Sequence, residues 1–228
     1  MKITIIIPCY NEIKTIEKII DKVLLQTQFN KEIIIVDDKS YDGSSELLKS
    51  IKHKFDTLIS NKKNCGKGYS IREGIKNASG DIIIIQDADL EYDPSDYAKL
   101  ISPIVSDVAD VVYGSRFSGN DEKRVLFFWH SLGNKLLTLL SNMMTNLNLT
   151  DMESGYKVFK SNVIKSITLK EDRFGFEPEI TAKMAKNNLR IYEVGIKYHG
   201  RKYSEGKKIT WIDGLSAIKC IIKYNLFK

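Results

Sequence analysis

The sequence predicts an α/β fold in which a mostly parallel, Rossmann-like sheet carries helices on both faces. Three observations lead to this prediction. Short β-branched runs alternate with stretches whose apolar residues recur at helical spacing through the first half of the chain. The run Asp81–Gln86 contains four consecutive isoleucines, so neither face of that strand would be polar, as in a strand buried on both sides. Two carboxylates, Asp87 and Asp89, follow it directly, at the end where open α/β sheets bind ligands.

The first half of the chain is predicted to contain five strands and four helices. Lys2–Pro8 is rich in isoleucine and ends in a proline, which cannot donate a hydrogen bond to a neighbouring strand. Glu12–Gln26 has an apolar stripe at helical spacing, and Gly66–Asn77 begins at a glycine-containing turn. The other predicted strands are Glu32–Val36, Leu58–Ser60, Asp81–Gln86 and Asp110–Tyr113, and the other helices are Gly43–Ile51 and Tyr97–Val105.

Two amphipathic helices are the main feature of the second half. The first lies within Val125–Leu149, and its apolar face comprises Trp129, Leu132, Leu136, Leu139, Leu140 and Met143. The second, Ile209–Phe227, has Lys219, Lys223 and Lys228 beside its apolar residues. Packing against a core is the commoner reason for such faces, and contact with a membrane surface is the alternative. The other predicted segments are a polar turn at Ser118–Arg124, strands at Asp151–Phe159 and Arg190–Lys197, a helix at about Pro178–Asn187, and a basic loop at Tyr198–Lys208.

Composition narrows the classes of protein that fit this chain. Its 228 residues suffice for one α/β domain, and no linker or internal repeat divides them. The net charge of +6 is spread out, which disfavours a nucleic-acid partner and suits phosphorylated ligands or an anionic membrane surface. Three scattered cysteines form neither zinc-ligand spacing nor a disulfide framework, which indicates a reducing cytoplasm. No unbroken apolar run reaches the roughly 18–20 residues of a membrane-spanning helix.

The motif Asp87-Ala88-Asp89 is the clearest functional signal in the sequence. Two carboxylates one residue apart at the end of a buried strand would repel each other. A hard divalent cation, bound through oxygens and shared with a diphosphate, would relieve that repulsion. Two solvated acids in a loop would have the same sequence, so it is the position after the strand that favours a metal site.

Two further motifs lie where predicted strands end, and a third opens a predicted helix. Pro8–Glu12 opens the first helix and can provide a nucleoside pocket, with a simple helix cap as the structural alternative. Asp37 and Asp38 end the second strand, where one acid can cap a turn and another can accept hydrogen bonds from a ribose or base. Asn64–Gly68 contains two glycines that permit a phosphate to approach a helix start, with Lys67 as the counter-charge.

Together these motifs resemble the family 2 glycosyltransferases of the GT-A fold. The family's order and spacing are matched by Pro8–Glu12, Val36–Gly43, Asn64–Gly68 and Asp87–Glu91. The chain is most similar to the branch of dolichol-phosphate mannose synthases and other polyprenyl-phosphate sugar transferases, through Gly114–Arg116, Asp151–Lys157, Phe176–Glu179 and Tyr198–Arg201. The resemblance implies one mixed, mostly parallel GT-A domain over residues 1–228, with a nucleotide-sugar half (1–116) and an acceptor half (117–228).

The resemblance also implies an activity and the residues that perform it. The activity is inverting, metal-dependent transfer of a hexose from a GDP- or UDP-hexose to a polyprenyl phosphate. The nucleotide sugar would be held by Pro8, Tyr10, Glu12, Asp37, Asp38, Lys67, Asp87 and Ala88. Mg²⁺ or Mn²⁺ would be held by Asp87, Asp89 and Glu91, and many relatives have Gln where this chain has Glu91. The acceptor phosphate would be held by Arg116, Ser131 and Arg201, and the catalytic residues would be Asp89, Arg116 and Arg201.

One departure from the family concerns the acceptor site. Relatives often have a basic residue near Ser131, whereas here only His130 is ionisable in that stretch. Arg116, Arg201, Lys202 and Lys207 would supply the positive charge that a phosphate acceptor needs. The enzyme would lie peripherally on the cytoplasmic face of the membrane, and integration into the membrane would require a partner protein.

Three alternative functions remain open at the level of sequence. A glycosyltransferase with a soluble glycan or protein acceptor would need a general base, for which Glu153 and Glu177 are candidates. A nucleotidyltransferase would usually carry a glycine-rich loop after the first strand, which Pro8–Glu12 does not. A non-catalytic nucleotide-sugar-binding module would have no reason to keep Asp87, Asp89, Arg116 and Arg201 together.

Overall fold

The structure, a computed structural model, describes residues 1–119, 124–125, 127–206, 208 and 211–227. Within these ranges the strands form a seven-stranded sheet with the order β3-β2-β1-β4-β6-β5-β7. Every neighbouring pair is parallel except the two pairs that β6 makes, with β4 and with β5. The strands are β1 (Lys2–Cys9), β2 (Asn30–Asp37), β3 (Thr57–Ser60), β4 (Ile82–Ile85), β5 (Val111–Ser115), β6 (Lys157–Lys160) and β7 (Ile191–Gly195). The mixed, mostly parallel sheet is therefore confirmed.

Helices cover both faces of this sheet, as the sequence predicts. Residues of α1, α2 and α4 pack into the apolar cluster on one face, and residues of α3, α6, α7 and α8 into the cluster on the other. The helices are α1 (Ile16–Leu24), α2 (Ser44–Ser50), α3 (Lys67–Asn77), α4 (Tyr97–Val105), α5 (Phe128–Thr145), α6 (Ser161–Ser166), α7 (Phe176–Lys186) and α8 (Trp211–Leu226). Short 3₁₀ turns occupy Lys52–Lys54, Pro94–Asp96 and Tyr203–Glu205.

Strand β4 lies in the middle of the sheet and is buried on both sides. Ile82 and Ile84 belong to one apolar cluster, whereas Ile83 and Ile85 belong to the other. All four side chains are at most 2% exposed. This alternation is what a four-isoleucine run requires when both faces of the strand are covered, and it fixes the point at which Asp87 leaves the sheet.

The predicted strand Asp151–Phe159 is wrong over its first half. Residues 151–156 form a loop, and the strand is confined to Lys157–Lys160. Backbone N–H groups of this loop donate hydrogen bonds to side chains: Asp151 N–H donates to the Glu193 carboxylate, and Met152 N–H donates to the Thr138 hydroxyl. A backbone whose donors are taken by side chains cannot join a strand ladder. The sequence also did not predict α6, and it placed the start of α1 at Glu12, four residues before its observed start at Ile16.

Helices α5 and α8 contact each other and leave large apolar side chains in solvent. On α5 the core side is formed by Leu137, Leu140 and Met144 with buried Thr138 and Ser141. Most of the predicted apolar face lies on the other side of α5 and is exposed to solvent; Trp129, for example, is 76% exposed. Its other exposed members are Leu132, Leu136, Leu139 and Met143, and α8 exposes Trp211, Ile212, Leu215, Ile218, Ile222 and Leu226.

None of the helices in the described ranges combines the length and the apolar character that a membrane crossing requires. Parts of three predicted features lie outside the described residues. They are 120–123 of the polar turn Ser118–Arg124, Lys207 of the basic loop, and residues 209, 210 and 228 of the second amphipathic helix and its end. Residue 126 of the predicted segment Val125–Leu149 also lies outside the described residues.

Close packing of α3 on β1 gives a test of the fold. A methyl group at Gly74 would overlap the Cγ2 atom of buried Ile6, so Gly74→Ala should lower the free energy of unfolding by about 1–3 kcal/mol through overpacking. Gly133 on α5 has open space around its Cα, and Gly133→Ala should be neutral or stabilise the protein by up to about 1 kcal/mol. Urea unfolding of both variants measures the difference, and equal effects would contradict this packing.

Candidate active site

A cavity of about 1330 Å³ opens at the carboxyl ends of β1 and β4. Most of the site residues predicted from the sequence line it. They are Pro8, Tyr10, Glu12, Asp38, Lys67, Asp87, Ala88, Asp89, Glu91, Arg116 and Arg201. These residues come from six segments of the chain, which the sheet brings to one edge, as expected for parallel strands. Asp37 and Ser131 are the two predicted site residues that do not line this cavity.

The loop after β4 supplies three carboxylates to the cavity, and each has a cationic or phenolic neighbour. Asp87 accepts from the Lys67 ammonium at 2.8 Å. Asp89 pairs with Nη2 of Arg201 at 2.9 Å. Glu91 accepts from the backbone N–H of Arg201 at 2.9 Å and from the Tyr198 hydroxyl at 3.0 Å. Arg201 thus contacts two of the three acids, and Lys67 contacts the third.

Negative charge around Asp89 is only partly compensated. Burial and the nearby carboxylates of Asp87 and Glu91 raise the pKa of Asp89 to about 7, against the opposing effect of Arg201. A carboxyl with a pKa raised in this way binds a proton or another cation readily. A divalent cation is the other species that would relieve this charge.

Arg201 connects the loop that follows β7 to the beginning of the chain. Its guanidinium lies 3.1 Å from Oε2 of Glu12 as well as 2.9 Å from Asp89. Lys208 adds a second cation at 2.7 Å from Oε1 of Glu12 and lies over the Tyr10 ring. Arg201 and Lys208 of the basic loop therefore lie against the acidic centre. Contact between Arg201 and a substrate phosphate stays a prediction.

Asp37 and Asp38 have their carboxylates engaged by the protein itself. Asp38 accepts from the backbone N–H groups of Cys65 and Gly66 at 2.8 and 2.7 Å, which holds the glycine-containing turn before α3. Asp37 accepts from Ser40 N–H at 3.1 Å and from the Ser45 hydroxyl. Contact with a nucleoside stays a prediction for both, and the observed bonds give each a structural role in the surrounding turns.

Arg116 is oriented by a buried carboxylate. Its Nε and Nη2 atoms donate to the two oxygens of Asp151 at 2.6 and 2.7 Å, and Asp151 is fully buried. Asn134 of α5 also donates to Asp151 at 3.1 Å, and the Tyr198 ring lies 5.3 Å from the guanidinium carbon. Such a bidentate pair fixes the guanidinium plane and keeps one edge directed to the cavity. Sequence reasoning quoted Asp151 only as part of a motif and did not predict this role.

Ser131 lies in the first turn of α5, where its N–H donates to the carbonyl of Phe127 at 3.2 Å. Its neighbours Trp129, His130 and Asn134 line the cavity instead. The departure from the family pattern at this point thus places an imidazole and an indole at the cavity mouth.

A second acidic group lies on the far side of Lys67. Oε1 of Glu177 is 3.3 Å from the Lys67 ammonium, and Glu153 lines the same part of the cavity. Burial and the neighbouring Glu177 carboxylate raise the pKa of Glu153 to about 8. Burial also lowers the pKa of Lys157, which underlies this group, to about 8. The sequence singled out both glutamates only as candidate bases for a different acceptor.

The remaining wall of the cavity is apolar and runs between α5 and α8. Trp129, Leu136, Trp211, Leu215 and Ile218 line it. The same side chains belong to the solvent-exposed faces of the two helices. One cavity therefore joins a highly charged end beneath the sheet edge to an apolar, open end between two helices.

Known proteins resemble this chain in both sequence and fold. Glycosyl transferase family 2 matches residues 4–168. A UDP-N-acetylglucosamine–dolichyl-phosphate N-acetylglucosaminyltransferase from Methanococcus voltae is 30% identical over 221 residues, covering 89% of this chain and 87% of that protein. A dolichol-phosphate mannosyltransferase from Pyrococcus furiosus is 29% identical over 217 residues, covering 92% of this chain and 61% of that longer protein.

The fold has a close counterpart among solved structures. Glucosyl-3-phosphoglycerate synthase from Mycobacterium tuberculosis, in complex with Mn²⁺, UDP and glucosyl-3-phosphoglycerate, matches with a TM-score of 0.77 at 18% identity. The match covers 98% of this chain and 80% of that one, and it shows that the two share the GT-A fold. With the family match spanning 165 of the 228 residues and the acids, cations and cavity in place, this chain belongs to glycosyl transferase family 2 and is a glycosyltransferase.

Proposed function

We propose that this protein transfers a hexose, with inversion and with the help of a divalent metal, from a nucleotide diphosphate sugar to a polyprenyl phosphate at a membrane surface. One observation carries the proposal. The cavity joins the Asp87, Asp89 and Arg201 cluster to an apolar opening between α5 and α8. A diphosphate sugar suits the charged end, and a phosphate that bears a long apolar chain suits the open end.

The named relatives support this choice of substrates. The relatives from Methanococcus voltae and Pyrococcus furiosus, which match 89% and 92% of this chain, are named as a dolichyl-phosphate N-acetylglucosaminyltransferase and a dolichol-phosphate mannosyltransferase. One of them uses a UDP-sugar by its name, and the solved structure of the same fold contains UDP and Mn²⁺. The nucleotide of this chain's donor, GDP or UDP, is left to experiment.

The carboxylates fit a metal that is completed by the substrate. In the described part of the chain, no three His, Cys, Asp or Glu side chains are grouped to hold a metal ion by themselves. Mg²⁺ is commonly held by one or two carboxylates together with substrate phosphates, and Asp87 and Asp89 provide such a pair. Glu91 is less available, because Tyr198 and Arg201 already donate to it. When bound, Mg²⁺ or Mn²⁺ would neutralise charge on the departing nucleoside diphosphate.

A phosphate acceptor explains why the site is rich in cations. A phosphate monoester, whose second pKa is about 6, is mostly dianionic at neutral pH and needs no general base. It needs positive charge in a fixed place, and Arg116 is held rigidly by Asp151 for that purpose. Arg201, which pairs with Glu12 and Asp89, is positioned to meet the diphosphate on the other side of the cavity.

The exposed apolar faces of α5 and α8 support contact with a membrane. They form one continuous surface around the open end of the cavity, and a soluble acceptor would give no reason for it. Exposed Lys135 and Lys219 lie on these helices, as basic residues do on helices that bind anionic lipid surfaces. Lys223, which the sequence placed among them, is paired with Glu171 at 2.7 Å.

The metal gives the first test of this function. Asp89→Asn should lower turnover by about a hundredfold or more, because it removes charge that stabilises the metal and diphosphate. The fold should survive, since Asp89 lies after the strand and not in the core. The matched control is Asp21→Asn, which removes a surface carboxylate that pairs with Lys54 and should leave turnover unchanged. Wild-type turnover that persists in excess EDTA would contradict metal dependence.

Arg116 gives a test of the acceptor site. Arg116→Lys keeps the charge but loses the bidentate geometry, so the KM for polyprenyl phosphate should rise at least about tenfold, given about 1.5–3 kcal/mol for a charged hydrogen bond. The Kd for the nucleotide sugar should change much less. Arg190→Lys alters a similar bidentate pair, with Asp110, outside the cavity and serves as the control. A Kd that rises as much as the KM would contradict an acceptor role.

The helix faces give a test of membrane contact. Leu139 and Ile212 are 56% and 60% exposed and do not line the cavity, so replacing both with Ser should reduce vesicle binding without altering the charged site. Transfer to a long-chain polyprenyl phosphate in vesicles should fall, whereas transfer to a short, soluble isoprenoid phosphate should not. Leu25→Ser removes a leucine elsewhere that is 73% exposed and is the control.

Vesicles of different lipid charge distinguish the electrostatic from the apolar contribution to membrane binding. Each basic residue near an anionic surface adds about 1 kcal/mol of binding, so Lys135→Gln with Lys219→Gln should weaken binding to anionic vesicles and spare neutral ones. Added salt should act in the same direction. Sedimentation with vesicles measures both effects, and equal loss of transfer on long and short acceptors would show that the helix faces are only structural.

A further inference from the structure

We propose that Glu153 and Glu177 bind the hydroxyl groups of the transferred hexose and so select the sugar. The inference rests on the proposed function in one respect, namely that the ligand is a nucleotide sugar. The two glutamates are separate from the acids after β4, since Glu153 lies in the loop before β6 and Glu177 in the first turn of α7.

Each of the two side chains has a carboxylate oxygen that lacks a hydrogen-bond partner among the described residues. In the described part of the chain, Oε1 of Glu153 and Oε2 of Glu177 are buried and accept no hydrogen bond. Glu177 is only 3% exposed, and burial of a carboxylate oxygen without a donor costs free energy. A buried polar atom that lacks a partner in the protein indicates a donor from outside the protein.

The two glutamates also lie close to the acids that are predicted to bind the metal and the diphosphate. Lys67 bridges the two groups, with its ammonium 2.8 Å from Asp87 and 3.3 Å from Glu177. The glutamates and Asp87 line one cavity. A hexose linked to the diphosphate must lie beside it, so the glutamates are among the nearest side chains that the sugar would meet.

Gly155 keeps this part of the cavity open. A methyl group there would overlap the Asp87 carboxylate and approach the Lys67 ammonium. The backbone around it is held by the Tyr92 hydroxyl, to which the Gly155 N–H donates at 3.1 Å. The loop that carries Glu153 therefore runs directly beneath the charged centre with no side chain between.

The chemistry of the pair suits sugar hydroxyls. An ionised carboxylate accepts hydrogen bonds from hydroxyl groups, and a protonated one also donates. The buried Lys157 nearby donates to the carbonyls of Met152 and Ser154, so these two hydrogen bonds do not use the glutamate oxygens. A site built to hydrogen-bond a substrate hydroxyl strongly rejects the analogue that lacks it.

Binding measurements without acceptor test the inference. With Mn²⁺ present, Glu153→Gln and Glu177→Gln are titrated with UDP-glucose, UDP-N-acetylglucosamine and GDP-mannose, and with UDP and GDP alone. For the sugar that wild type binds tightest, each variant should lose roughly tenfold to a hundredfold in affinity, the range for a hydrogen bond to a charged group. Affinity for the corresponding nucleoside diphosphate should be unchanged, which also reports an intact fold.

Glu46→Gln, which changes an exposed glutamate on α2, is the matched control. Glu153→Gln is the cleaner of the two variants, because Glu177 also contacts Lys67 and its loss can shift the diphosphate site. A second measurement uses deoxy analogues of the sugar. One deoxy analogue should bind wild type more weakly than any other. One of the two variants, Glu153→Gln or Glu177→Gln, should bind that analogue with the same affinity as the parent sugar.

The inference would be overturned if Glu153→Gln lost as much affinity for the nucleoside diphosphate as for the nucleotide sugar. It would also be overturned if both variants still bound every deoxy analogue more weakly than the parent sugar, as wild type does. These measurements contain no acceptor. Failure of transfer to polyprenyl phosphate would therefore refute the proposed acceptor without touching this inference, and the reverse also holds.

Discussion

The site depends on pairing between carboxylates at the strand ends and cations that come from distant parts of the chain. Asp87, Asp89 and Glu91 leave the sheet together, and their mutual repulsion would oppose folding if nothing opposed it. Lys67 from the start of α3 and Arg201 from the loop after β7 lie against them at 2.8 and 2.9 Å. These contacts determine where α3 begins and where the last loop returns, and so they shape the cavity.

Arg116 and Asp151 repeat this arrangement on the acceptor side. The buried carboxylate stabilises the guanidinium in one orientation, and Asn134 ties the pair to α5. Removal of one partner from a buried pair is costly because the other is left uncompensated. The same bonds that connect Arg116 to α5 therefore orient a cation that lines the cavity.

Helices α5 and α8 form the apolar, open end of the cavity. Both helices pack one side on the sheet layer and leave the other apolar and exposed around the open end of the cavity. An apolar surface of this kind in water is unfavourable unless something covers it. A lipid surface is the covering that the proposed polyprenyl-phosphate acceptor would provide.

Much of this protein was determined locally and could be predicted from its sequence. The four isoleucines of β4 could form only a doubly buried strand, and Asp87 and Asp89 had to emerge from its end, because both statements depend on neighbours in the chain. The predicted family and the mostly parallel sheet follow from such patterns and are confirmed, whereas α6 was not predicted. The boundaries of β6 were not predictable, because side chains of Glu193 and Thr138 take its preceding backbone donors.

Only the tertiary structure decided which charges meet. Arg201 reaches Asp89 across 112 residues of sequence, and Arg116 reaches Asp151 across 35. No periodicity records such a contact, since it results from the strand order and from the insertion of antiparallel β6 between β4 and β5. The convergence of Glu153 and Glu177 beside Lys67 is of the same kind. The sequence by itself determined the strands, the acids and the cations, and the packing of the sheet determined their partners, because charge pairing acts through space and not along the chain.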